Sequence, residues 1–150
     1  MTALVRSETA HADFKLLVAQ LDKELWDRYP DLQAQYAPNN KVENIRTAVI
    51  AYHENVPVGI GCFRPVDTIA TEIKRMFVLP AYRGKGIAGS ILAELEKWAR
   101  ELSFSRAVLE SGTRQPEALH LYKKSGYIEI ENYGPYASMD TSVCMEKQLQ

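Results

Sequence analysis

The sequence predicts a mixed α/β protein built on one central, mixed sheet. Three observations predict it. Runs rich in β-formers and runs with helical periodicity interleave along the whole chain, in the order β-α-α-β-β-β-α-β-α-β-β. Only the middle of that order alternates strand and helix strictly, so only there is a right-handed parallel crossover required. The 150 residues are 46% hydrophobic and 25% charged, which suits one globular domain over 1–150 that folds without staples.

Thr2–Arg6 reads as a short first strand. From His11 to Arg28, Phe14, Leu17, Val18, Leu21 and Leu25 recur at spacings of three and four, the mark of an amphipathic helix. Trp26 adjoins that stripe and is expected to pack with it. Pro30 stops the helix, and Asp31–Tyr36 is expected to form a second, short one. Thr47–His53 and Val56–Arg64 form a hairpin around Glu54-Asn55. Gly59 and Gly61 weaken the second of these strands but let another group approach its backbone. A third run, Thr71–Val78, stops at Leu79-Pro80. Gly86–Leu102 has the clearest helical stripe, made by Ile87, Ile91, Leu92, Leu95, Trp98, Ala99 and Leu102. Arg106–Glu110 is a strand, and Pro116–Ser125 a helix with proline in its first turn and Gly126 as its stop. Tyr127–Asn132 and Ser142–Leu149 are late strands.

Composition excludes several functions. A net charge of −1 offers no broad basic face for nucleic acid or anionic membrane. No apolar run reaches the roughly 18 residues a membrane span needs, and Met1–Asp13 lacks the apolar core of a signal peptide. Cys62 and Cys144 are distant and lie in apolar runs, so they read as buried thiols of a reducing compartment, and a cytoplasmic location is expected. His11, His53 and His120 have no paired ligand spacing, so no metal site is expected. Lys74-Arg75 reads as a solvated basic pair, or one with a single member facing a ligand.

The most informative stretch is Val78-Leu79-Pro80-Ala81-Tyr82-Arg83-Gly84-Lys85-Gly86-Ile87-Ala88-Gly89. A strand ends, a loop follows, and small residues open a long helix. The unpaired N–H groups of that first turn and the helix dipole make an anion site suited to phosphate. Arg83 and Lys85 add cationic donors, and residues 71–90 carry a net charge of +3. Gly84–Gly89 also matches G-x-G-x-x-G, and Glu110 falls about twenty residues beyond, as in dinucleotide folds. There, however, the first glycine follows its strand almost directly, whereas Leu79 to Arg83 intervene here. A P-loop fails because no Gly-Lys-Ser/Thr closes the loop.

The run Val78-x-Pro80-x-x-Arg83-Gly84-x-Gly86-Ile87-Ala88 resembles the acyl-CoA-binding signature of the GNAT family of N-acetyltransferases, Arg/Gln-x-x-Gly-x-Gly/Ala. Arg83, Gly86 and Ala88 occupy its three defined positions. Leu109-Glu110-Ser111, followed by Ala118–Tyr127, is similar to the family's later motif, in which a helix carries Leu-Tyr and ends in Gly-Phe/Tyr. The element order also matches that of the family.

The resemblance implies a splayed GNAT-type sheet flanked by helices, and transfer of the acetyl group of acetyl-CoA to a primary amine of a small molecule or peptide. Arg83, Gly84, Lys85, Gly86, Ile87, Ala88 and Gly89 would receive the pyrophosphate. Met76, Phe77 and Val78 would lie beside the pantetheine, and backbone N–H groups near Phe77–Val78 would stabilise the oxyanion. Gln115 stands where many members carry an asparagine. An alkyl amine has a pKa of about 10.4 and must lose a proton. Glu110 and Glu72 are both candidate bases, the latter expected by period two to share a face with Lys74, Met76 and Val78. Tyr122 matches the position of the acid that reprotonates the CoA thiolate. Tyr29, Tyr36, Tyr133 and Tyr136 are candidate acceptor contacts. With no cysteine in either motif, direct attack in a ternary complex is expected. The alternative is a CoA-binding sensor of the same fold without turnover. The family resemblance also brings homodimers into view.

Overall fold

The computed structural model describes residues 2–31 and 44–150. Seven strands form one open sheet in the order β1-β2-β3-β4-β5-β7-β6. They are β1 (Thr2–Ser7), β2 (Ala48–His53), β3 (Val56–Pro65), β4 (Ala70–Val78), β5 (Arg106–Gly112), β6 (Ile128–Ile130) and β7 (Ser142–Gln148). Among the described residues three α-helices flank it: α1 (Ala12–Arg28), α2 (Ile87–Glu101) and α3 (Pro116–Lys124). Single 3₁₀ turns occupy Pro80–Tyr82 and Gly134–Tyr136. The expected helix over Asp31–Tyr36 lies, apart from Asp31, outside the described residues, as does Tyr36.

β4 and β5 are parallel and every other pairing is antiparallel, so the one crossover through α2 falls where strict alternation required it. The sheet is buried on both faces. On one, Ile87, Ile91, Leu92 and Leu95 of α2 pack on Val49, Val58, Phe63, Ile73 and Val78. On the other, Phe14, Leu17 and Leu21 of α1 pack on Ile50, Ile60, Cys62 and Phe77. Trp26 departs from expectation and is 55% exposed, since the helical turn of one residue past Leu25 carries it off the buried stripe. Both cysteines are buried, and burial pushes the Cys62 thiol up to about 12 and the Cys144 thiol up to about 11.

Two irregularities shape the centre of the sheet. First, β4 carries a bulge. Its register with β3 jumps from Ile60 opposite Phe77 to Cys62 opposite Lys74, and Arg75 takes a left-handed φ of +59°. Alternation therefore breaks. Ile73 and Val78, an odd number of residues apart, both face α2, whereas Phe77 faces α1. The period-two expectation for Glu72 is corrected: it shares its face with Lys74, but the bulge turns Met76 and Val78 to the other side.

Second, β4 and β5 pair only from Ala70 opposite Arg106 to Ile73 opposite Leu109. Beyond that point β4 continues along β3 to Val78, and β5 continues along β7 to Gly112. The strands diverge into a wedge, as a splayed sheet requires.

Gly61 sits opposite the bulge because nothing larger fits. A Cβ there would stand 2.5 Å from Met76 Sδ and 3.0 Å from Ile91 Cγ2. Gly61→Val is expected to lower the unfolding free energy by about 1–3 kcal/mol, read as a lower urea midpoint at unchanged slope.

Candidate active site

Two cavities occupy the wedge and meet inside it. One, of about 290 Å³, runs from Met76, Phe77 and Val78 to the glycine loop. The other, of about 110 Å³, lies between Glu72–Met76 of β4 and Glu110–Gly112 of β5. Leu21, Met76, Gln115, Ala118 and Tyr122 line both, so these side chains form the junction.

The glycine loop is shaped for an anion. Gly84 and Gly86 adopt φ of +78° and +80°, and a Cβ at either would meet nothing within 4 Å, so the space above the loop is open. Gly86 caps α2 without a side-chain hydrogen bond, and Ser90 N–H returns to Gly86 O at 3.0 Å. The N–H groups of Ile87, Ala88 and Gly89 thus have no partner within the helix and project past its positive end. Lys85 Nζ stands 5.5 Å from the centre of the Tyr82 ring. Arg83 is committed differently from a free phosphate donor. Its Nε donates to Val78 O at 2.8 Å, its Nη2 pairs with Glu24 Oε1 at 3.0 Å, and it lies over the Phe77 ring. It braces the loop against the end of β4 and against α1.

The two candidate carboxylates sit in contrasting surroundings. Glu72 is buried, accepts from Arg64 Nε at 3.1 Å and from the Tyr133 hydroxyl at 2.7 Å, and stands 3.8 Å from Lys74 Nζ. Its charge is held by cations and a donor. Glu110 accepts from the Ser142 hydroxyl at 2.8 Å. Burial raises its pKa above the ordinary carboxylate range, more than the Ser142 hydrogen bond and the Lys74 charge lower it.

Tyr122 is buried on α3 at the junction, edge-on to Tyr127 with ring centres 6.0 Å apart. Burial first, then the Glu110 charge, raises its pKa, so its hydroxyl stays protonated. Gln115 caps α3 and lines both cavities.

Of the acceptor candidates, Tyr29 and Tyr136 line the smaller cavity. The Tyr29 hydroxyl accepts from Arg114 N–H at 3.0 Å, and Arg114 in turn pairs with Asp31 at 2.8 Å. Tyr133 lies behind, bonded to Glu72 and edge-on to Tyr136 at 5.6 Å.

Lys74 and Arg75 are not a solvated pair. Their side chains are 6% and 5% exposed, and both line the smaller cavity. Arg75 pairs with Asp22 of α1. The bulge causes this by turning two consecutive residues into the wedge. Sequence reasoning also missed Ser142 and Arg64, which reach the two carboxylates from β7 and β3. No local motif marks either residue.

The model of the acetyltransferase (GNAT) family matches residues 14–127. The chain belongs to that family. A protein of Azospirillum brasilense named IAA acetyltransferase is 34% identical over 142 residues, 89% of this chain and 88% of that one. The uncharacterized N-acetyltransferase YjgM of Escherichia coli K12 is 32% identical over 67% of this chain and 62% of its own. Among solved structures, a candidate acyl-CoA N-acyltransferase of Klebsiella pneumoniae superposes with a TM-score of 0.83 at 30% identity, covering 100% of this chain and 99% of that one. The PaiA N-acetyltransferase of Thermoplasma acidophilum, solved with coenzyme A, shares the fold at a TM-score of 0.70 and 15% identity, over 99% of both chains.

This GNAT protein is thus an acetyl-CoA-dependent N-acetyltransferase. Its wedge fits that donor. The open glycine cradle and free helical N–H groups suit a pyrophosphate, and the diverging edge of β4 suits an amide-bearing arm. Among the described residues no helix is long and apolar enough to cross a membrane, and no cluster of metal-ligating side chains occurs.

Gly86→Asp would set a carboxylate in the cradle, against the site's purpose, on backbone that favours glycine. Calorimetry is expected to show acetyl-CoA affinity weakened roughly tenfold or more, with far-ultraviolet circular dichroism unchanged.

Proposed function

We propose that residues 1–150 act as one GNAT domain that acetylates a small primary amine by direct attack in a ternary complex. The observation that carries this reading is the meeting of two cavities at Tyr122, one suited to a phosphorylated donor and the other small and lined by two carboxylates. Acetyl-CoA, when bound, supplies an activated acetyl group. The loop Arg83–Gly89 and the edge Met76–Val78 hold and orient the donor, and the N–H groups near Phe77–Val78 are the oxyanion donors. Gln115, at the junction, contacts the pantetheine arm.

Glu110 takes the proton from the incoming ammonium. Its surroundings favour that role, because burial makes its carboxylate a stronger base than an exposed one. Glu72 orients instead, its oxygens engaged by Arg64 and Tyr133. Tyr122 holds a proton on Oη where the sulfur of CoA would arrive and gives it up there. Tyr29 and Tyr136 shape the acceptor wall. Cys62 and Cys144 are buried and held as thiols, which supports direct transfer over a covalent acetyl-enzyme.

Thiol release from acetyl-CoA against an amine panel tests the reading, since binding without release for every amine would instead mark a sensor. Tyr122→Phe is expected to lower kcat roughly a hundredfold while calorimetry shows donor affinity unchanged; unaltered kcat would remove the acid role.

A base works only when deprotonated, and the Glu110 pKa is raised. The activity of the native protein is therefore expected to rise with pH through a value above the ordinary carboxylate range. Glu110→Gln should abolish that rising limb and Glu72→Gln should keep it. The opposite result would exchange the two roles.

A further inference from the structure

We propose that Ser142 is a positioning residue for the transfer reaction: its hydroxyl aims the Glu110 carboxylate and stabilises its charged form. The inference rests on Glu110 being the base and goes on to name the residue that sets it. Strand register brings the two together. β5 and β7 are antiparallel, with Glu110 opposite Cys144 and Gly112 opposite Ser142. Ser142 therefore stands two residues from the partner of Glu110, on the same face, at a diagonal spacing that a glutamate side chain can span. Its hydroxyl donates to Glu110 Oε2 at 2.8 Å. An ionised carboxylate only accepts, so the proton of this bond comes from the serine.

Ser142 is held so that its hydroxyl stays in place. It is buried, its N–H donates to Met139 O at 3.1 Å, and its carbonyl accepts from Asn132 Nδ2 at 3.0 Å. Asn132 Nδ2 also donates to Met139 O at 3.1 Å, which closes the clamp. With both backbone groups committed, the χ1 torsion alone aims the hydroxyl.

The groups that face Glu110 give this bond its weight. Lys74 and Glu72 face it from β4, Tyr122 from α3, Tyr136 from the turn Gly134–Tyr136 and Cys144 from β7. Tyr29 and Arg75, the latter paired with Asp22, line the same cavity. Burial keeps the Tyr122, Tyr136 and Cys144 protons in place, so those three are neutral. Burial also opposes the Glu110 charge most, and Glu72 adds to that opposition. Two influences favour the charge, and the Ser142 hydroxyl is the stronger, ahead of Lys74. With Oε2 engaged by the serine, Oε1 is the oxygen assigned to the incoming amine.

The test is the pH profile of kcat/KM for the whole chain with acetyl-CoA and the best amine of the panel, native against Ser142→Ala and Ser142→Thr. Removing a donor from a charged carboxylate raises the pH at which it ionises. Ser142→Ala is therefore expected to move the rising limb to higher pH and to lower kcat/KM on that limb about tenfold. The loss should narrow on the alkaline side. Ser142→Thr keeps the hydroxyl and should return the limb toward its native place. A loss equal at every pH, with the limb unmoved, would show a merely structural role and overturn the proposal. So would an unchanged profile.

Carbon-13 NMR of the glutamate carboxyls reads the same effect without turnover, the Glu110 signal being the one absent from Glu110→Gln. In Ser142→Ala that signal should titrate at higher pH than in the native protein. If Ser142→Thr does not fold, the two Ser142→Ala measurements decide. If no amine is turned over, or if Glu110→Gln keeps the rising limb, the base reading fails. The NMR titration then decides whether Ser142 sets this carboxylate: a shift to higher pH supports it, and an unmoved titration overturns it.

Discussion

Everything functional in this molecule depends on a pairing that is begun and then abandoned. β4 and β5 share only the ladder from Ala70–Arg106 to Ile73–Leu109. Past it, the facing edges of Lys74–Val78 and Glu110–Gly112 have no strand between them. Backbone N–H and C=O groups left in such a gap need partners from water or from a ligand. A ligand with amides of its own can take the place of the missing ladder. The cost of the unfinished sheet is thus what makes it a binding site. The remaining structure keeps the gap from closing: β3 holds β4 through Val78, and β7 holds β5 through Gly112. Each strand is committed to its outer neighbour.

The bulge at Arg75 works with the splay. A regular β4 would have placed Glu72, Lys74, Met76 and Val78 on one face. With one extra residue, Val78 returns to the core under α2 while Lys74 and Arg75 both turn into the wedge. Two buried cations in succession would be unstable alone. Asp22 reaches Arg75 from α1, and Glu72 lies beside Lys74. The contrast in surroundings between Glu72 and Glu110 follows from the same arrangement. Arg64 and Tyr133 surround Glu72, whereas Glu110, on the far strand, has the Ser142 hydroxyl.

The glycine loop was legible in the sequence and most of the smaller cavity was not, for a physical reason. The glycine loop acts through backbone: its positive φ angles and free N–H groups demand small residues at fixed places, and composition records that demand. Tyr122 was legible because it sits in the Leu-Tyr motif that resembles the family's, on a helix marked by Pro116 and the Gly126 stop. The smaller cavity is lined by Lys74, Tyr29 and Tyr136, and Arg64 and Ser142 reach its two carboxylates; these residues come from five separate segments and obey no common spacing. The bulge was invisible because Arg75 at φ +59° is a conformation an arginine seldom adopts. Tertiary packing imposed it against local preference, and period-two reasoning failed from that residue onward.

The two halves are also coupled through the core. Glu96 is buried on α2, where it accepts from the Tyr127 hydroxyl at 2.9 Å and from Lys147 of β7 at 2.9 Å. Tyr127 in turn packs edge-on against Tyr122. The helix that opens at the glycine loop is therefore tied by one carboxylate to the residue that packs against the junction tyrosine. A buried carboxylate in this position is tolerable only while both partners stay in place. Tilting α2 away from β7 would strand its charge. The network thereby ties α2 to the Tyr127 ring against which Tyr122 packs. Rigid placement of that kind is what a direct transfer between two bound molecules requires, because small misplacements of the reacting groups are costly in rate.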